Sequence, residues 1–317
     1  MSQLKDEGIK LYAISYDDTE ALEAYTHGAG IEFTMLSDER SEVIRQYGVF
    51  NTLIGEEEAF FHGIPFPGFF LVDEAGVIRD KLFNPHLAVR DGVESILDSF
   101  LGRTEPGRDD PVGALTEDDG IEVTAVLRGG GGVLRVGPRR RLVVRFEMPQ
   151  GLHIYGEPVP DGIVATRIEV EAPEGVRCEA IESPFSQPFE LPGVDATLEV
   201  WEGQVDFVIP LFANNDLLHA VAAAASPSIE LTVNIHYQAC DDHQCFIPRR
   251  RTITLNVPLG KNATPSFLRK AMGENAVRGS EEVVDMDTDR HMQRLAARQA
   301  ASLAKIKDGT KGGEGND

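Results

Sequence analysis

Cysteine is scarce in this sequence: three residues, at positions 178, 240 and 245, in a chain of 317. So few cannot form the framework of a small secreted domain, and a chain of this length buries enough apolar surface to fold without one. Long apolar runs are missing too. No stretch approaches the roughly 18 to 20 residues of a membrane span, which argues against membrane insertion. Met1 to Lys10 lacks the charged-then-apolar order of a secretory leader, so the chain reads as cytoplasmic if Met1 is the true start. Basic residues are outnumbered, 30 against 52 acidic, for a formal charge of -22. That sign repels phosphate backbones and anionic headgroups, and so argues against nucleic acid as a partner. The His-Glu-x-x-His, Gly-x-Ser-x-Gly and dinucleotide-binding motifs are absent, and no cofactor is indicated.

What is there suggests an α+β chain of about two domains. Residues 1–101 alternate strand-like and helix-like patterns: a strand over Ile9 to Ser15, a helix over Thr19 to His27 opened by Asp17, Asp18 and Thr19, and a helix over Ser37 to Tyr47 capped by Ser37 or Asp38. The run Phe69 to Asp73, the turn Asp73 to Gly76 and the stretch Val77 to Phe83 predict a hairpin, followed by a helix over Ala88 to Phe100. Residues 102–120, rich in Pro, Gly and acid, read as a linker. From 121 to 259 the pattern is period two in short runs: Ile121 to Arg128, Leu142 to Met148, Ile163 to Glu171, Val205 to Leu211, Ile229 to Tyr237 and Arg251 to Val257. Strands at that spacing predict an antiparallel sandwich. Residues 260–317 read as a tail, with a helix over Asp289 to Lys307 carrying a thin apolar stripe and a Gly-rich terminus.

The chemistry-bearing feature is the stretch His236 to Pro248, with Cys240 and Cys245 on either side of a turn between two strands. Residues facing each other across antiparallel strands lie roughly 4.5 to 5.5 Å apart at Cα, within disulfide reach. The enclosed loop has four residues, so the entropic stabilisation from closing it is about 2 kcal/mol or less. A bridge that small is a poor staple, which favours one meant to open. Asp241 and Asp242 disfavour a thiolate and His243 favours one only when protonated, so the pair suits exchange with another dithiol better than attack on peroxide. An inert bridge and a pair of buried thiols remain open alternatives. So does a metal site, since His236, Cys240, His243 and Cys245 supply imidazole and thiolate ligands, although the C-x2-H-x-C spacing is not a standard zinc pattern. Cys178, on a strand-like alternation, reads as a small core residue.

Residues 121–259 resemble the amino-terminal domain of the thiol:disulfide interchange protein DsbD. The resemblance rests on Tyr237-Gln238-Ala239-Cys240, on Cys245-Phe246-Ile247-Pro248, and on Gly151 to Tyr155 and Glu182 to Phe185. It implies an immunoglobulin-like sandwich that works outside the cytoplasm, in which Cys245 forms the mixed disulfide and Cys240 resolves it. Tyr237, His243 and Pro248 would shape the site, Phe185 would cap the disulfide, and a thioredoxin-like or other redox protein would be the partner. Residues 1–101 resemble the later part of a peroxiredoxin-like domain of the AhpC/TSA type, within the thioredoxin superfamily. That likeness rests on Ala13 to Asp17, Leu36 to Glu39, Gly48-Val49 and Gly63 to Asp73, and it implies a cis proline at Pro67. The family's peroxidatic cysteine would come from a strand and helix preceding Met1, so peroxidase activity is not expected of the chain as written.

These features predict a thiol–disulfide relay through Cys240 and Cys245, serving a peroxiredoxin-like module, with a non-catalytic interaction or metal-binding module with a structural cysteine pair as the alternative. Gly129 to Gly132 before Arg139-Arg140-Arg141 lacks the Lys-Ser/Thr of a phosphate loop and reads as a turn. Arg249-Arg250-Arg251 reads as a solvated strand start able to steer an acidic partner, and Glu56-Glu57-Glu58 as a solvated loop.

Overall fold

A computed structural model describes residues 2–28, 30–55, 62–83, 90–102, 105–116, 120–190, 197–214, 216–217, 228–241, 243–260, 263–265 and 282–284. The helix predicted over Asp289 to Lys307 and the loop at Glu56 to Glu58 lie outside these. Two compact units result, Met1–Gly68 with Lys261–Asp317, and Phe69–Gly260. The described chain is mostly β-sheet with few helices.

The first unit holds α1 (Ser2–Asp6), β1 (Tyr12–Ser15), α2 (Thr19–Gly28), β2 (Thr34–Ser37) and α3 (Glu42–Gln46). Strands β1 and β2 run parallel, with Ile14 opposite Leu36. A parallel pair needs a crossover, and α2 supplies it. Asp18 starts that helix by accepting the Ala21 N–H at 2.7 Å. The second predicted helix is shorter than its sequence pattern: Ser37 is committed to the strand, paired with Ser15, and the helix begins only at Glu42. Asp38 still caps it, its two carboxylate oxygens accepting the N–H groups of Glu42 and Ile44 at 2.9 and 2.8 Å. The Phe66–Pro67 bond, expected to be cis, is trans; the cis bond among the described residues is Glu157–Pro158. Phe66 N–H donates to the Val49 carbonyl, and two residues later the chain enters an extended strand, so nothing opposes the intrinsic preference for trans.

From Phe69 the second unit carries the predicted hairpin, β3 (Gly68–Val72, its first residue at the unit boundary) and β4 (Ile78–Phe83), whose turn is organised by Asp73 Oδ1 accepting from Ala75 and Val77 N–H. Then come β5 (Arg90–Asp91), α4 (Val93–Leu101), β6 (Val112–Thr116), β7 (Glu122–Arg128), β8 (Pro138–Glu147), β9 (His153–Tyr155), β10 (Arg167–Glu171), β11 (Val176–Cys178), β12 (Gln187–Glu190), β13 (Thr197–Glu202), β14 (Gln204–Ala213), β15 (Ser228–Tyr237), β16 (Ala239–Cys240) and β17 (Arg249–Pro258). In the tail, β18 (Ala263–Pro265) pairs in parallel with β19 (Glu282–Val284).

Strands β5 to β17 form three sheets: β11-β14-β8-β7-β6 with β5 joined to β8, β10-β15-β17, and β12-β13-β9-β16. Period two explains the packing. Along β15 the residues Ile229, Leu231, Val233, Ile235 and Tyr237 are buried while those between them are not, and β17 contributes Ile253, Leu255 and Val257. They meet Val144 and Phe146 of β8 and Phe207, Ile209 and Leu211 of β14 in one continuous core. Strand β6, inside the stretch read as a linker, is a real edge strand paired with β7. A Cβ on its Gly113 would stand 2.5 Å from Ile253 Cγ2, so glycine is what allows it to lie this close.

The Arg139-Arg140-Arg141 run is spent on structure. Arg140 is buried and its guanidinium caps the carbonyls of Arg128, Gly129 and Val133, wrapping the glycine turn. Arg139 pairs with Asp91 and Glu179, and Arg141 with Glu182. Arg128 holds Asp98 of α4 in a bidentate pair at 2.6 and 3.0 Å.

Candidate redox site

Strand β15 delivers the chain to the site and β17 takes it away; between them β16 crosses to pair with β9, placing Cys240 opposite His153. The intervening turn is built by its own backbone. Asp241 N–H donates to the Gln244 carbonyl and Phe246 N–H to the Ala239 carbonyl, both at 2.9 Å. The Asp241 carboxylate closes it further, accepting from the N–H groups of His243 and Gln244 at 2.7 Å. Those two N–H groups hold the Asp241 carboxyl below its ordinary range, so it stays ionised beside Cys240. Cys240 and Cys245 are antiparallel bridge partners, 4.0 Å apart at Cα, and are joined in a disulfide.

The two halves of that bond are unlike. Cys240 is 1 % exposed, packed with Tyr155, Leu198 and Val200 and flanked by Val159, Ile163 and Phe189. Cys245 is exposed. Tyr155 Oη sits 3.9 Å from Cys245 Sγ and 3.0 Å from His153 Nε2, and both His153 and Tyr155 are buried. Burial pushes the Tyr155 phenol up, keeping it a protonated donor. Gln238 is the clamp: its Oε1 accepts Val164 N–H and its Nε2 donates to the Phe246 carbonyl, both at 2.9 Å.

Cys240 and Cys245 are bonded to each other, and the residues around them differ in several places from those expected. Phe185, expected to cover the disulfide, is fully exposed. Its neighbours explain why: the Pro184 carbonyl accepts Trp201 Nε1–H at 3.1 Å and Ser186 Oγ donates to Glu199 at 2.6 Å, leaving the residue between them turned outward. Phe189, on β12, is the aromatic that packs beside Cys240, its ring 4.6 Å from that of His153. Tyr237 is fully buried in the main core, edge-on to Phe146 at 5.4 Å, and Tyr155 is the tyrosine at the sulfur. His243 and Pro248 are exposed on the hairpin. Pro67 lies in the first unit. Cys178 is exposed, not core: β11 is three residues long, at the sheet edge, and ends with it. With the sulfurs of Cys240 and Cys245 bonded to each other neither is a thiolate ligand, and among the described residues no three His, Cys, Asp or Glu gather as a metal group.

His153, Tyr155, Gln238 and Phe189 were missed as site residues. Gly151 to Tyr155 belongs to the DsbD-like stretch, and His153 and Tyr155, two apart in a strand, share a face, which is the signal the sequence offers.

Residues 135–257 match the family model described as "Thiol:disulfide interchange protein DsbD, N-terminal". Residues 1–81 match that of the AhpC/TSA family. Both resemblances read from the residues are therefore met by family matches, both families are thiol–disulfide redox families, and the cysteine hairpin falls inside the first match. No curated protein matches the chain. Among solved structures, the N-terminal periplasmic domain of ScsB from Proteus mirabilis is 18 % identical over 48 % of this chain and 53 % of that one, with a TM-score of 0.33. The Neisseria meningitidis DsbD n-terminal domain in the reduced form is 11 % identical over 50 % of this chain and 93 % of that one, with a TM-score of 0.26. The chain thus spans about half the length of the ScsB domain it is compared with. Among the described residues no helix is long and apolar enough to cross a membrane.

Proposed function

We propose that this protein is a thiol–disulfide relay, in which Cys240 and Cys245 alternate between disulfide and dithiol in exchange with a thioredoxin-like redox partner. The observation that carries the reading is the unequal burial of the two sulfurs' residues. A thiolate attacks a disulfide along the S–S axis, at a sulfur it can reach. Cys245 is exposed and Cys240 is not. The partner's thiolate therefore bonds to Cys245 Sγ, the Cys240–Cys245 bond breaks, and the electron pair leaves on Cys240. That thiolate is then the resolving group, held next to the mixed disulfide it would attack in the reverse direction. Ile247, 80 % exposed and two residues from Cys245, offers the partner an apolar contact.

We read residues 1–81 as a thioredoxin-like segment of the AhpC/TSA kind; the parallel β1–β2 pair with its α2 crossover supports this. Residues 1–177 contain no cysteine, so peroxide reduction within them is not proposed. Intact-mass measurement of the full chain across dithiothreitol redox buffers, with alkylation mapping, tests the relay. A reversible gain of two hydrogens assigned to Cys240 and Cys245 is expected. A bridge that never opens, or copurified metal on those sulfurs, would overturn it.

A further inference from the structure

We infer that Tyr155, oriented by His153, is the hydrogen-bond donor that stabilises the Cys245 thiolate when it is released. This rests on the exchange reading above and assigns a role that neither sulfur supplies itself. A disulfide sulfur carries no S–H, so a hydrogen bond across the 3.9 Å Tyr155–Cys245 contact has the phenol O–H as its donor. Tyr155 has one proton. Donating it to sulfur leaves Oη to accept, and its partner there is His153 Nε2, 3.0 Å away, which must then carry hydrogen. The chain His153 N–H to Tyr155 O–H to Cys245 Sγ points one way, toward the exposed residue of the pair.

The donor is preorganised. Strand β9 places His153 and Tyr155 on one face, their rings 5.0 Å apart and edge to face, and Phe189 covers the imidazole. Burial keeps the phenol protonated, so it gives a hydrogen bond without giving up its proton. Among the described residues, the other titratable groups of the cysteine turn are Asp241, His243 and Cys240 itself. The Asp241 carboxylate is occupied by the backbone N–H groups of His243 and Gln244.

The step served is the second half of exchange. In the mixed disulfide, the partner's second thiolate attacks the partner sulfur bonded to Cys245. A partner disulfide forms, the bond to Cys245 breaks, and the electron pair departs on Cys245 Sγ, which takes a proton from solvent as pH allows. A donor aimed at that sulfur before charge develops lowers the leaving thiol's pKa and speeds its departure.

The test is the pH dependence of iodoacetamide alkylation of the dithiothreitol-reduced full chain, with Cys178, Cys240 and Cys245 resolved by peptide mass. Tyr155→Phe should raise the Cys245 midpoint by about one pH unit, a tenfold loss of thiolate at fixed lower pH, and move Cys240 less. His153→Phe, which retains a ring for packing, should raise it in the same direction. An unchanged Cys245 midpoint in Tyr155→Phe overturns the inference; should that variant not fold, an unchanged midpoint in His153→Phe does so. If the wild-type bridge resists dithiothreitol altogether, the exchange reading fails instead, and the two failures are distinct.

Discussion

Gln238 Nε2 donates to the Phe246 carbonyl at 2.9 Å, so a side chain two residues before the first cysteine holds the backbone one residue after the second. Its amide oxygen also takes Val164 N–H, and the residue is 6 % exposed. Gln238→Leu keeps the volume and strips both partners. It should cost about 2 kcal/mol in urea unfolding and speed reduction of the bridge by dithiothreitol, because buried polar groups left unpaired are costly.

Single cysteine variants should separate the two sulfurs. Cys240→Ser leaves the exposed thiol without its resolving partner and should accumulate a stable mixed disulfide with oxidised glutathione, releasing one glutathione thiol and seen by intact mass. Cys245→Ser should form it far more slowly, since Cys240 is 1 % exposed. Equal yields would deny the direction of attack.

Arg128 and Asp98 form a nearly buried pair, with side chains 11 % and 2 % exposed. Arg128→Met should destabilise the fold by about 3 to 5 kcal/mol near neutral pH, because Asp98 is left as an uncompensated charge. Burial already raises the Asp98 carboxyl above its ordinary value of 3.8, and losing Arg128 raises it further. A raised carboxyl gives stability that is present at low pH and lost as pH climbs through its folded value. The deficit of the variant should therefore shrink on acidification, measured by urea midpoints from pH 7 down to pH 4.

Asp241 titrates in the opposite sense. Its carboxyl is lowered from 3.8 by the N–H groups of His243 and Gln244, so its contribution is present above 3.8 and lost as pH falls through the lowered value. Protection of the His243 and Gln244 amides, measured as exchange relative to the intrinsic rate at each pH, should be present at neutral pH, fall on acidification, and be absent at every pH in Asp241→Ala.

Phe185→Ala should change the thermal midpoint negligibly, since the ring is fully exposed. Phe189→Ala should cost about 1 to 2 kcal/mol and admit alkylating reagents to reduced Cys240, because that ring is half-buried against His153. If Phe185→Ala instead uncovers the sulfurs, it is the cap after all.

The long strands were legible because one face of each meets the core: the alternation from Ile229 to Tyr237 in β15 leaves no other register. Strand β9 was not, because His153, Ile154 and Tyr155 are all buried and show no alternation. Strand β6 hid in a Pro- and Gly-rich stretch, where an edge position tolerates what a central strand would reject. The cysteine hairpin was readable from residue type and spacing. Its supporting groups were not, since Tyr155 lies 90 residues away in sequence and meets Cys245 only through the sheet. Phe185 and Phe189 carry the same side chain, and only the tethering of Pro184 and Ser186 decides which faces inward.

The hairpin's hydrogen bonds, Asp241 to Gln244, Phe246 to Ala239 and Gln238 to Phe246, involve no sulfur atom. Cleaving the S–S link therefore removes one tie among several, and the freed thiols remain neighbours on an intact template. Rejoining them is an intramolecular encounter at very high effective concentration, with little chain to reorganise. The loop behaves as a clasp that cycles without refolding.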